Sequence, residues 1–164
     1  MVIGDLAHAR PTMPHNILIR QATKRDGKDF LSLVDALADF EKLRRPSPQA
    51  RRRLLRDAFS RQKKFDAFLA TVNRKAVGYA IIFETYSSFL ARPTLYLEDI
   101  FVLPSCRGQR IGLRLFRRCV AEAKRRRCGR MEWVVLDWNK HAIRFYKHLG
   151  ARAMKEWLLY RITL

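Results

Sequence analysis

Residues 96–116 read YLEDIFVLPSCRGQRIGLRLF. Two adjacent acids, Glu98 and Asp99, stand inside an apolar run that ends at Pro104 and enters a basic, glycine-bearing turn. A carboxylate beside a dry strand can attract a cation and take part in moving its proton. On a regular strand the two acids would face opposite sides, whereas a bulge would turn both toward one cleft. The turn CRGQRIG, residues 106–112, lies where a strand gives way to a helix. The first N–H groups of a helix lack internal partners, and the aligned dipole adds about half a positive charge there. Gly108 and Gly112 remove side chains where a phosphate would approach the backbone. An ordinary strand-to-helix turn would also use glycines for geometry, and neither a P-loop ending nor a dinucleotide-type glycine triplet is present.

A second stretch, LDWNKHAIRFYKHLGA at 136–151, places Asn139 at a helix start and Tyr146 two turns on, beside Phe145. A tyrosine in that position more often packs than reacts. Cys106 lies near the turn without an evident histidine partner, which argues against a thiol nucleophile. His8, His15, His141 and His148 show no ligand spacing, so no metal is expected.

These residues need elements to hold them. Alternation in NILIRQAT predicts a first strand. Asp26 can cap a helix carrying Phe30, Leu33, Val34, Leu37 and Phe40, and Ser47 with Pro48 can open a second. FDAFLATV and AVGYAIIFETY read as strands joined by a turn at Asn73 and Arg74, and PTLYLEDIFVL as a long fourth strand. A helix over 110–126 follows, then a strand in RMEWVVLDW, a short helix closed by Gly150, and one or two final strands in ARAMKEWLLYRITL. The helix between the fourth and fifth strands predicts a parallel crossover, and the short turn at Asn73 an antiparallel pair. The expected fold is α+β: a central mixed sheet of six to seven strands with helices on both faces. Residues 16–164 form one domain in this reading, with 1–15 as a flexible tail.

RGQRIG after LEDIFVLP, followed by WNKHAIRFYKHLGA, resembles the GNAT superfamily of N-acetyltransferases. Within it the likeness is to the spermidine/spermine (diamine) and thialysine acetyltransferases, strongest over 96–151. The family turn is Arg/Gln-x-x-Gly-x-Gly/Ala; Arg107 and Gly112 match it, while Arg110 stands where the internal glycine is usual. The resemblance implies acetyl-CoA lying in a splay between the fourth and fifth strands. Its pantetheine would bond backbone groups of Ile100, Phe101 and Val102. Its pyrophosphate would sit on Arg107, Gly108, Gln109, Arg110, Ile111, Gly112 and Leu113, and Asn139, Lys140, His141 and Ala142 would flank the arm. It further implies that Glu98 helps remove the amine proton, through water, and that Tyr146 protonates the leaving thiolate. An alkyl ammonium, with a pKa near 10.4, has no lone pair until it loses that proton. Transfer would be direct, within a ternary complex, to a primary amine of a diamine, polyamine or lysine-like molecule such as thialysine.

Bulk properties bear on the substrate. Lys and Arg total 34 against 15 Asp and Glu, a net charge of +19. That field draws anions and disfavours a polycation unless acids gather locally. Glu98, Asp99, Glu41 and Ser87 are the candidate substrate contacts, and a small amine of lower charge fits better than a polyamine. A protein or peptide amine is the alternative substrate. RNA contact through Arg110, Arg114, Arg117, Arg118 and Arg125 is the alternative use of the charge, and an acyl-CoA-binding domain without turnover a third reading. Three cysteines without ligand spacing suggest free thiols and a cytoplasmic protein. No apolar run reaches the roughly 20 residues that span a bilayer, and the N-terminus lacks a secretory pattern. Trp157, Leu158, Tyr160 and Ile162 suit either the core or a homodimer interface, and the resemblance favours a homodimer.

Overall fold

The computed structural model describes residues 16–163; the predicted tail at 1–15 lies outside them. The chain divides into two compact units, Met1–Glu132 and Trp133–Leu164. The first contains β1 (Ile17–Gln21), α1 (Gly27–Phe40), α2 (Pro48–Phe59), β2 (Asp66–Val72), β3 (Lys75–Ser87), β4 (Arg92–Val102), α3 (Ile111–Arg125) and β5 (Arg130–Glu132). The second contains α4 (Lys140–His148). No helix among the described residues is long and apolar enough to cross a membrane.

The strands form one sheet in the order β1-β2-β3-β4-β5. The first four pair antiparallel and β5 joins β4 in parallel, as the helical crossover requires. β2 turns into β3 through Asn73 and Arg74, at φ 48° and 69°. Two left-handed central residues are what a twist-matched two-residue hairpin needs. Asparagine accepts that conformation readily; arginine holds it at some cost.

One face of the sheet carries Leu69, Tyr79, Ile81 and Phe101, clustered with Phe30 and Leu33 of α1 and Ala58 of α2. The other is covered by α3. Arg118 lays its guanidinium over Phe68, 4.7 Å from the ring centre, while Ile111, Leu115 and Cys119 are fully buried. At the end of α3, Arg126 donates to Asp66 Oδ2 at 2.5 Å, Glu84 Oε1 at 3.0 Å and Glu122 Oε1 at 2.8 Å. Helices on both faces of a mixed sheet agree with the expectation.

The strand count does not. Among the described residues the sheet has five strands, not six to seven. The predicted strand in RMEWVVLDW contracts to Arg130–Glu132, and no strand follows α4 among the described residues. Apolar alternation makes a strand possible, but only a neighbour's main-chain groups make one, and those are not visible in local sequence. Ser47 accepts from the Ala50 N–H at 3.2 Å, with Pro48 opening α2. Asp26, by contrast, makes no cap bond to α1. Its carboxylate instead accepts from the Thr23 N–H at 2.7 Å and from both terminal nitrogens of Arg20, at 2.7 and 2.6 Å.

Candidate active site

The acids of β4 stand at a bulge. Asp99 pairs with Ile81 and Leu97 with Ile82, which leaves Glu98 as the extra residue. Glu98 is exposed; Asp99 turns to the face of Tyr79 and is only partly exposed. The Tyr79 hydroxyl donates to Asp99 Oδ2 at 3.0 Å. Tyr79 is completely buried, its ring edge-on to Phe30 at 5.6 Å. Burial pushes the Asp99 carboxyl up to about 6; the Tyr79 hydroxyl opposes that rise, and the charges of Glu98 and Glu41 add to it. Burial, then the charge of Asp99, drives the Tyr79 phenol far above its ordinary range, so it remains a donor. Glu41 caps the C-terminus of α1, and burial raises its carboxyl too.

The fold therefore brings Glu41 and Glu98 within electrostatic reach of Asp99. Asp99 takes a tyrosine as partner. Tyr79 reads in sequence as one more apolar position of an alternating strand; only the bulge in the opposite strand reveals its partner. Ser87 is not part of this group. Its Oγ accepts from the Leu90 N–H at 3.3 Å, and it pairs with Arg92 at the far end of the β3–β4 ribbon. Six residue steps along the strand, about 20 Å, separate it from Ile81.

β4 also offers an open edge. Its parallel pairing with β5 is confined to Thr94–Tyr96 against Arg130–Glu132, so no strand among the described residues lines the outer side of Leu97–Val102. The Leu103 N–H bonds to Val77 O at 2.9 Å. By alternation, Phe101 then directs its main-chain groups to Tyr79 on β3, while those of Ile100 and Val102 face the open edge. Backbone bonding to a ligand is thus available from Ile100 and Val102; Phe101 does not supply it, contrary to expectation.

Arg107 fastens the start of the turn. Its Nε donates to Val102 O at 3.0 Å, and its guanidinium lies 4.8 Å from the Phe40 ring centre and 5.8 Å from that of Phe101. Gly108 has φ 80°, and a Cβ there would meet nothing within 4 Å. Arg110 is the N-cap residue of α3, at φ 59°. This left-handed conformation is the physical reason a glycine would suit the position; Arg110 holds it nonetheless. The first bond of α3 runs from the Arg114 N–H to Arg110 O at 3.0 Å, so the N–H groups of Ile111, Gly112 and Leu113 precede the helical ladder. A Cβ on Gly112 would meet only Val102 Cγ2, at 3.9 Å. Neither glycine is demanded by protein packing, and the space both leave suits an anion approaching the backbone. Buried Ile111 anchors the turn beneath, and Gln109 Oε1 is buried without a hydrogen-bond partner.

In the second unit, Asn139 caps α4 by accepting from the Ala142 N–H at 3.1 Å. Lys140 Nζ donates to Asp137 O at 2.7 Å, which closes the same turn, and His141 follows in the first turn of the helix. Tyr146 packs its ring 4.9 Å from Trp133 and 5.4 Å from Phe145. α4 ends as expected: Gly150, at φ 83°, donates to Lys147 O at 3.0 Å and Ala151 to Tyr146 O at 3.1 Å, a Schellman motif.

Residues 31–151 match the acetyltransferase (GNAT) family. The thialysine N-epsilon-acetyltransferase of Mus musculus is 34% identical over 154 residues, covering 87% of this chain and 90% of that protein. An L-ornithine N5-acetyltransferase of Arabidopsis thaliana is 42% identical over 86 residues, covering 52% of this chain and 38% of its own length. Among solved structures, an integron cassette protein of Vibrio cholerae superposes with a TM-score of 0.77 at 25% identity, covering 90% of this chain and 92% of its own. The chain belongs to the GNAT family and is an N-acetyltransferase. GNAT acetyltransferases use acetyl-CoA as acyl donor.

Proposed function

We propose that this enzyme moves the acetyl group of acetyl-CoA directly onto a primary amine of a small molecule, in a ternary complex. The observation that carries the reading is the open edge of β4 at Ile100 and Val102, continuous with the turn of unladdered N–H groups at Ile111–Leu113. An extended amide arm can add to such an edge as a strand would. The helix start suits its pyrophosphate. Ile100 and Val102 would hold the arm, Arg107 to Leu113 the phosphates, and Asn139 to Ala142 would flank it. The bound cofactor supplies an activated acetyl thioester.

Glu98 draws the ammonium and routes its proton away through water, leaving the nitrogen lone pair for attack. Tyr146 donates a proton to the departing sulfur. Each proton transfer by a placed group is worth about 10²–10⁴ in rate, and holding the reactants aligned contributes up to about 7–11 kcal/mol. Glu41, Glu98 and Asp99 form a local acidic seat within a chain of net charge +19. This seat offsets the positive field for an ω-ammonium, and the names of the thialysine and L-ornithine relatives support a lysine-like amino acid over a polyamine.

The test is continuous detection of free CoA with acetyl-CoA and thialysine, lysine, ornithine, small diamines, spermidine and a basic peptide. Turnover is expected with the ω-amino acids. Turnover with the peptide alone would replace the small-molecule reading. Acetyl-CoA binding without release of CoA from any amine would point to a binding domain.

A further inference from the structure

A buried tyrosine hydroxyl has to be explained. At a completely buried position between Phe30 and Phe101, phenylalanine would pack as well as Tyr79 does. The hydroxyl adds a desolvation cost that only a partner can offset. That partner is Oδ2 of Asp99, 3.0 Å away, on the strand residue directly after the bulge. The bond engages Oδ2 of Asp99 and not Oδ1.

We infer that Tyr79 is a positioning residue: through this bond it aims the Asp99 carboxylate and keeps it ionised as the seat for the substrate's ammonium group. The inference rests on the amine-acetyltransferase reading above. The charged and titratable groups around Asp99 explain why such a device is needed. Glu98 on β4 and Glu41 at the end of α1 both disfavour a third negative charge, and burial does so more strongly. Arg107, beyond β4, spends its guanidinium on Val102 O and the rings of Phe40 and Phe101. The neutral Tyr79 donor, from β3, is the group that favours the anion. A fixed dipole can do this without competing for substrate as a bound cation would. The arriving ammonium then meets Oδ1, and Tyr79 never touches it.

The experiment compares the full chain with Tyr79→Phe, Asp99→Asn and the double variant, between pH 5.5 and 9. Removing a donor from a carboxylate raises its pKa, so the acid limb of kcat/KM in Tyr79→Phe should move up by about one pH unit. At pH 7 the KM for the amine should rise at least about twofold, with kcat and the KM for acetyl-CoA little changed, because ionisation of the seat is what is lost. Asp99→Asn should erase that limb, and adding Tyr79→Phe to it should change nothing further. A profile for Tyr79→Phe that superimposes on the wild type would overturn the inference, as would additive effects in the double variant. If Tyr79→Phe does not fold, an acid limb surviving in Asp99→Asn overturns it instead. A carbon-detected NMR titration of the Asp99 carboxyl in wild type and Tyr79→Phe needs no turnover. Failure of every amine in the wild type sinks the proposed function, while an Asp99 midpoint that does not move in that titration sinks the Tyr79 assignment by itself.

Discussion

Gly78 on β3 lies so close to Phe101 on β4 that a Cβ added to Gly78 would stand 2.6 Å from the Phe101 carbonyl oxygen and 3.1 Å from Val102 Cγ2. The obstacle is main chain, which cannot rotate away as a side chain would. Gly78→Ala must therefore push β4 outward at the residues whose outer edge is open. The expected cost is about 1–3 kcal/mol, with weaker acetyl-CoA binding as the edge shifts. Thermal unfolding and calorimetric titration with CoA check the two effects separately; a variant with unchanged melting temperature would show that the strands have slack.

Arg110 is the second backbone test. Arg110→Gly relieves a left-handed residue and should stabilise the fold by about 1 kcal/mol, raising the melting temperature by a few degrees. Arg110→Ala removes the same charge but keeps the strain, so the difference between the variants isolates the backbone effect. CoA affinity should follow the charge and fall alike in both, more so at low salt.

Tyr146→Phe tests the donor to the leaving sulfur. The ring contacts with Trp133 and Phe145 do not involve the hydroxyl and should survive. Turnover is expected to fall about 10²–10⁴-fold with acetyl-CoA affinity nearly intact. Loss of acetyl-CoA binding would give the hydroxyl a different task.

The ion-pair knot at the end of α3 predicts an acid-sensitive fold. Hydrogen bonds from Arg125 and then Arg126 hold the buried Glu122 carboxyl down at about 2, against 4.5 for the ordinary group. A depressed carboxylate stabilises the fold above its unfolded pKa and ceases to do so as pH falls through the folded one. Stability should thus decline between about pH 4.5 and 2. Arg126→Met removes one partner each from Asp66 and Glu122, which keep Lys63 and Arg125, and should cost about 1–3 kcal/mol at neutral pH while lessening this acid dependence. Denaturant titrations of both proteins across that range measure it.

What could be read from the sequence follows how local the controlling physics is. Ser47 with Pro48, Asn73 with Arg74, and Gly150 are set by neighbours in the chain, and the structure has them as the residues suggest. The strand-to-helix turn at 107–113 was legible for the same reason. The Tyr79–Asp99 pair was not, because it depends on a bulge that shifts one strand against another by a residue. The final strands failed for a related reason: Trp157, Leu158, Tyr160 and Ile162 have a strand's composition, but no ladder forms there among the described residues. Asp26 had a cap's position and a stronger competitor in Arg20.

The short β4–β5 pairing has a colloidal consequence. An open strand edge presenting the main-chain groups of Ile100 and Val102 is a template on which a strand from another copy can add. Arg107, Arg110 and Arg114 follow that edge in the chain, and the chain carries a net charge of +19. Two copies meeting edge to edge would bring those cations together, so mutual repulsion guards the opening while it stands empty. At 1 M salt the screening length falls to about 3 Å and that guard is lifted. Clouding that sets in at high salt and is reversed by CoA would be the visible sign of one edge serving both catalysis and self-avoidance.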